Sequence, residues 1–116
     1  MKYMLLMYWN QSQMPQSTPE QQKVSLQAWQ DYLAETKAAG ALVSYNGLAP
    51  VSSATTVRVR QGKTLTSDGP FAETHEQLGG FVLLDCKDLD EAIAWAAKLP
   101  NASDGSIEIR PLWNSQ

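Results

Sequence analysis

Beyond Lys2, the first strand-like stretch of the chain has no polar row. In Lys2–Trp9, Tyr3, Leu5, Met7 and Trp9 alternate with Met4, Leu6 and Tyr8, and both rows are apolar. A strand of this kind belongs in the middle of a sheet, with something packed on each face. The pattern then breaks: Asn10–Ser17 is polar and holds Pro15, which predicts a loop. From Thr18 a helical spacing takes over. Thr18 is a good N-cap, Pro19 suits the first helical position, and Gln21 completes a capping box. The spacing predicts a helix to about Ala39, ended by Gly40 in a left-handed cap. Val24, Ala28 and Tyr32 form one row and Trp29, Leu33 and Thr36 the next, a single stripe expected to lie on a sheet.

The rest of the chain alternates in the same way. Ala41–Leu48 predicts a second strand, closed by Pro50. Ala54–Arg60 predicts a third, with Thr55, Val57 and Val59 inward and Thr56, Arg58 and Arg60 outward. Gln61-Gly62 supplies a two-residue turn, and Lys63–Thr66 returns as the hairpin partner. After a Gly-rich connection, Phe81–Cys86 predicts a strongly apolar strand. Asp88 then caps a second helix with Glu91 at the capping-box position; Leu89, Ala92, Ile93 and Ala96 are its expected buried face, Trp95 its margin, and Pro100 its end. Asn101–Gly105 reads as a turn and Ser106–Leu112 as the last strand, with Ile107 and Ile109 inward. The order is β-α-β, a hairpin, then β-α-β. Two split βαβ units predict one domain over residues 1–116 with an α+β, ferredoxin-like fold: an antiparallel sheet with helices on one face. The other face of the first strand is then apolar and uncovered, which predicts a homodimer about a two-fold axis.

Composition narrows the function classes. A hydrophobic fraction of 43% and a charged fraction of 18% are those of a globular chain. Net charge is -3 without a basic block, so the electrostatic footprint of a nucleic-acid binder is missing. No apolar run approaches the roughly 20 residues of a membrane span. Met1–Trp9 begins like a signal peptide, but Asn10-Gln11-Ser12-Gln13 cuts it short, so the cytoplasm is the expected compartment. Cys86 and His75 are the only residues of their types. An intrachain disulfide and a tetrahedral thiolate zinc site are thereby excluded, and iron or haem chemistry lacks its ligands. No cofactor and no metal are expected.

Polar chemistry concentrates in one connection, Thr66–Gly80, which holds Asp68, Glu73, His75 and Glu76 among glycines and Pro70. Asp68 precedes Gly69-Pro70. Its carboxylate either shapes the turn by accepting backbone N–H bonds or serves as a general base or ligand anchor. His75 is the candidate proton carrier, flanked by two acids that favour its charged form. Glu73 and Glu76 have the alternative of opening a short helical turn with Thr74 and Gln77. Arg58 and Arg60 either fork onto an anionic group or guard an edge strand. Trp29 and Tyr45, with Trp9 and Tyr32, either line a pocket between helix and sheet or belong to the core. Phe71 and Glu73 complete the expected ligand contacts, and Cys86, at the end of a buried strand, is expected to be inert. Three functional classes follow: a metal-independent enzyme acting on a small molecule through Asp68 in a pocket between helix and sheet, a non-catalytic small-ligand-binding or regulatory dimer, or a purely structural partner of another protein.

The run Asp68-Gly69-Pro70-Phe71-Ala72-Glu73-Thr74, with Glu76-Gln77-Leu78-Gly79-Gly80 after it, resembles the signature of DGPF-type proteins in the YCII-related family. Lys2-Tyr3-Met4-Leu5-Leu6, Thr56-Val57-Arg58-Val59-Arg60 and Glu108-Ile109-Arg110-Pro111 resemble it too. The resemblance implies a ferredoxin-like subunit that pairs into a dimeric α/β barrel. Some members carry a histidine in the first helix, paired with an aspartate. The comparable place here is near Trp29, and this helix has no histidine. Relatives often have lysine where His75 stands, which argues against His75 as an indispensable catalyst.

Overall fold

The computed structural model describes residues 1–13 and 18–113; part of the loop expected over residues 10–17 lies outside them. Six strands and two α-helices follow in the order β1 (Lys2–Trp9), α1 (Pro19–Ala38), β2 (Leu42–Gly47), β3 (Thr55–Arg60), β4 (Lys63–Asp68), β5 (Gln77–Asp85), α2 (Leu89–Ala97) and β6 (Ser106–Pro111). The main sheet has the order β2-β5-β1-β6 with every pairing antiparallel. Each split βαβ unit therefore leaves a gap that a strand of the other fills, and β1 is central. This is the ferredoxin-like arrangement of an α+β fold. β3 and β4 pair only with each other, as a separate two-stranded sheet between the two units.

The core lies under the helices. Tyr3, Leu5 and Met7 stand opposite Leu84, Val82 and Gly80 across one ladder, and opposite Pro111, Ile109 and Ile107 across the other. Leu5, Val82 and Leu84 are fully buried, each gaining about 1.5–3 kcal/mol over an exposed side chain. Tyr32, Ala92, Ala96 and Leu99 close over them. Buried Thr36 donates its hydroxyl to the carbonyls of Tyr32 and Leu33, both at 3.0 Å, so its polar atom costs little.

Both helices start where local chemistry predicts. The Thr18 hydroxyl accepts from the Gln21 amide at 3.1 Å and the Gln21 side chain accepts from the Thr18 amide at 2.8 Å. Asp88 accepts from the Glu91 amide at 2.9 Å. Glu91 itself turns to the Lys87 amide rather than to its cap.

Burial departs from expectation in three places. Val24 is 71% exposed, and residues 19–27 of α1 are all exposed; the stripe meets the sheet only from Ala28 onward. Leu89 and Ile93 are half exposed, because α2 seats on the narrower row of Ala92 and Ala96. Val57 and Val59 do not point inward to a core. Each is 59% exposed, since no layer among the described residues covers the hairpin. The second face of the main sheet is open. Met4, Leu6, Phe81 and Leu83 form its centre, half-buried, while Glu108 and Arg110 stand beside Leu6 and Met4 on β6. Among the described residues, no helix is long and apolar enough to cross a membrane.

Candidate functional site

The polar connection 69–76 runs from the base of the hairpin to β5, and its shape is set by bonds to distant segments. Gly69, at φ +90°, allows the turn that leaves β4. Its amide donates to the Ala54 carbonyl at 2.7 Å, and its carbonyl accepts from the Thr56 hydroxyl at 2.9 Å. Arg58 donates to the Phe71 carbonyl at 3.5 Å. Farther on, the Gln77 side chain donates to the Thr74 carbonyl at 2.6 Å and accepts from the Gln11 amide at 2.8 Å. The Gln11 side chain in turn accepts from the Val51 amide at 3.1 Å. Ser106 donates to the Glu76 carboxylate at 2.7 Å. The connection is thus stitched to residues 11, 51 and 106. Between its stitches lies an open hollow of about 210 Å³, lined by Val51, Pro70, Ala72, Glu73, Thr74 and Gln77.

The hollow takes in one of the expected site residues, Glu73, which is exposed. Asp68 ends β4 opposite Thr55 and is exposed. Its carboxylate has no hydrogen-bond or ion-pair partner among the described residues, so the turn after it does not rest on its side chain. Gly69 and Thr56 hold that turn. His75 is exposed beside Glu76, whose carboxylate is engaged by Ser106. The helical turn expected near Thr74 and Gln77 does not form; Gln77 is already strand. Phe71 is 78% exposed. Trp29 packs edge-on to Tyr32, ring centres 6.3 Å apart, on the helix side of the sheet, and Tyr45 lies half exposed on the edge strand β2. None of Asp68, His75, Trp29, Tyr45, Arg58 and Phe71 lines the hollow.

Several residues that position the connection carry no signal of their own in the sequence. The Gln11–Gln77 pair joins positions 66 apart. Gly79 is the extra residue of a β-bulge: Met7 pairs with Gly80 but Tyr8 with Leu78. The Trp9 ring lies against Gly79, so closely that a Cβ there would sit 2.1 Å from Cη2. The indole Nε1 of Trp9 is buried without a partner among the described residues. The glycine pair inside an apolar strand was the one available clue to this bulge.

Elsewhere, the ionisable groups Tyr32 and Cys86 lie buried. Tyr32 donates to the Trp95 carbonyl at 3.0 Å, and burial raises its phenol beyond the usual range. Burial foremost, then the carboxylates of Glu91 and Asp85, pushes the Cys86 thiol up to about 11. The thiol form is stabilising below the unfolded-state value; that contribution is lost as pH rises through the unfolded and then the native value. Native protein at pH 8 should therefore resist alkylation by iodoacetamide, reacting about a hundredfold more slowly than after denaturation. Mass spectrometry of timed samples checks this, and equal rates would show an accessible thiolate. Among the described residues, no group of three or more His, Cys, Asp or Glu is placed to hold a metal ion.

Two βαβ units, an inserted hairpin and a stitched acidic connection define a ferredoxin-like α+β domain. The chain belongs to the YCII-related family: the model of the YCII-related domain matches residues 1–116. It is similar to an uncharacterised protein of Rhizobium meliloti (strain 1021), 53% identical over 76 residues, or 64% of this chain and 61% of that one. The chain thus spans less than two thirds of the curated relative it matches. Among solved structures it is similar to 5-chloro-2-hydroxyhydroquinone dehydrochlorinase (TftG) from Burkholderia phenoliruptrix AC1100, in complex with 2,5-dihydroxybenzoquinone. That likeness has a TM-score of 0.48 and 10% identity, covering 99% of this chain and 96% of the other.

Proposed function

We propose that this chain is the ligand-binding subunit of a cytoplasmic homodimer and that it holds a small cationic or hydrogen-bond-donating molecule against Glu73. The observation that carries the reading is the lining of the hollow: three apolar residues, Val51, Pro70 and Ala72, face Glu73, Thr74 and Gln77. One carboxylate beside an amide and a hydroxyl suits a donor, and the apolar wall suits a short alkyl part. At about 210 Å³ the hollow is smaller than the roughly 300–1,000 Å³ of drug-sized pockets, which limits the occupant to a small amine or similar group. The dimer is supported by the open apolar centre of the sheet, Met4, Leu6, Phe81 and Leu83, with polar residues at its rim.

A second reading, a metal-independent enzyme using Asp68, is favoured by one observation: the Asp68 carboxylate is exposed and engaged by no other described residue, which leaves it free to take a proton from a substrate. Amide NMR separates the two. Ethylammonium and guanidinium are expected to shift the Val51, Thr74 and Gln77 resonances, with affinities on the order of millimolar for so few atoms, while acetate is not. Glu73→Gln should weaken this about tenfold, the loss typical of a charge-assisted contact, and Asp68→Asn should leave it unchanged. Loss in Asp68→Asn instead would make Asp68 the acid of the site. No shift with either cation would end the binding reading.

A further inference from the structure

The hairpin β3–β4 is the least explained part of the molecule. It forms no ladder with the main sheet, and every residue from Val57 to Asp68 is exposed. The hydrogen bonds at its base, Gly69 to Ala54, Thr56 to Gly69 and Arg58 to Phe71, join its own two ends and the connection that follows. The chain has a radius of gyration of 16.4 Å and extents of 48 × 43 × 19 Å, where a compact chain of this length has a radius near roughly 13 Å. A two-stranded ribbon by itself is marginal in water, so one this long needs a surface to lie on.

Its two faces differ. Thr55, Val57 and Val59 share one face with Thr64, Thr66 and Asp68; Thr56, Arg58 and Arg60 share the other with Lys63, Leu65 and Ser67. The valine face is a β-branched, nearly uncharged strip. The opposite face carries Arg58, Arg60 and Lys63, none of them in an ion pair with a described carboxylate. Residues 55–68 hold these three cations against the one acid Asp68, a surplus of two in a chain of net charge -3. The rest of the chain therefore stands at -5.

We propose that this hairpin is an arm that docks on a second copy of the chain, its valine face seated on the open, apolar sheet face of that copy. The charge balance selects the partner surface. Arm against arm would set three cations opposite three more, whereas arm against body sets a surplus of positive charge on an acidic protein. The receiving face offers Met4, Leu6, Phe81 and Leu83 to the valines, and the cations on the arm's outer face respond to the net negative charge of the body rather than to one carboxylate. The arm deepens the dimer reading given above and rests on it.

Sedimentation velocity across the micromolar range tests both and separates them. Wild type should dimerise, with the dissociation constant rising with salt as screening weakens the pull of arm on body. Val57→Thr with Val59→Thr keeps the β-branched shape, and Arg58→Glu with Arg60→Glu reverses the charge. Each pair should weaken the dimer about tenfold or more, with the far-ultraviolet spectrum unchanged. In wild type, amide exchange at residues 57–66 should slow as concentration rises. If wild type dimerises and both variants dimerise equally well, the arm lies elsewhere and only the dimer stands. If wild type is monomeric throughout, the dimer reading fails, and the arm with it.

Discussion

Gly79→Ala should cost about 3 kcal/mol, at the upper end of the range for overpacking. The residue lies at the bulge of β5, where a Cβ would sit 2.1 Å from Trp9 Cη2 and 2.2 Å from Cζ2. No pair of carbons tolerates that separation, and the indole is not a free end: it packs against the core cluster. Relief requires the ring to leave its seat or the bulge to lose its register, and the same strand end holds Gln77, the residue that ties the acidic connection to Gln11. The cause is testable because it sits in one side chain. Trp9→Leu removes the offending atoms, so the double variant should be more stable than the two single costs summed, by about 1 kcal/mol or more. Gly105→Ala is the control. There a Cβ would meet the Tyr8 carbonyl oxygen at 2.1 Å, a backbone atom fixed between β1 and β6, so its equally large cost should not be relieved by Trp9→Leu. Urea unfolding followed by the fluorescence of Trp29 and Trp95 measures all five variants, Gly105→Ala with Trp9→Leu included. A Gly79→Ala midpoint within about 1 kcal/mol of wild type would mean the ring does not occupy that place.

Local chemistry in the sequence was enough for what local chemistry decides. The capping box of Thr18 and Gln21, the Asp88 cap and the turn at Gln61-Gly62 are all read from neighbours in the chain, and the structure has each. The doubly apolar pattern of Lys2–Trp9 was likewise enough to make β1 central. What pattern could not supply is extent. A helix of 20 residues is about 30 Å long, and periodicity does not say that the sheet beneath it ends before Val24. Alternation in Thr55–Arg60 identifies a strand, but naming Val57 and Val59 inward assumed a layer that the described residues do not provide. The hollow was legible in part. The acids and the Gly69-Pro70 turn after β4 marked the segment that borders it, because a polar run with a turn signal reads as a connection. They did not tell that Glu73 lines the hollow and Asp68 does not, since that depends on which way the connection is pulled by Gln11, Val51 and Ser106, none of them near it in sequence.

Leu5 and Leu6 are chain neighbours on opposite faces of β1, and their truncation should separate the two sides of the sheet. Leu5 is fully buried beneath the helices, opposite Val82 and Ile109. Leu5→Ala is therefore expected to cost about 3 kcal/mol, transfer and cavity together, in a site too confined to collapse. That cost belongs to one subunit and should be the same at every protein concentration. Leu6 is half-buried on the open face, between Phe81 and Glu108. In a dilute, dissociated sample Leu6→Ala should cost less than about 1 kcal/mol, as for a partly exposed position. If, as proposed, a second copy covers the face as the concentration rises, its cost should grow, because only the folded chain is stabilised by association. Unfolding curves for both variants at several concentrations give the answer directly. A Leu6→Ala cost that stays small and flat while wild type is dimeric would place the contact between subunits on some other surface, and one that equals the Leu5→Ala cost in the monomer would mean the second face is already covered within the chain.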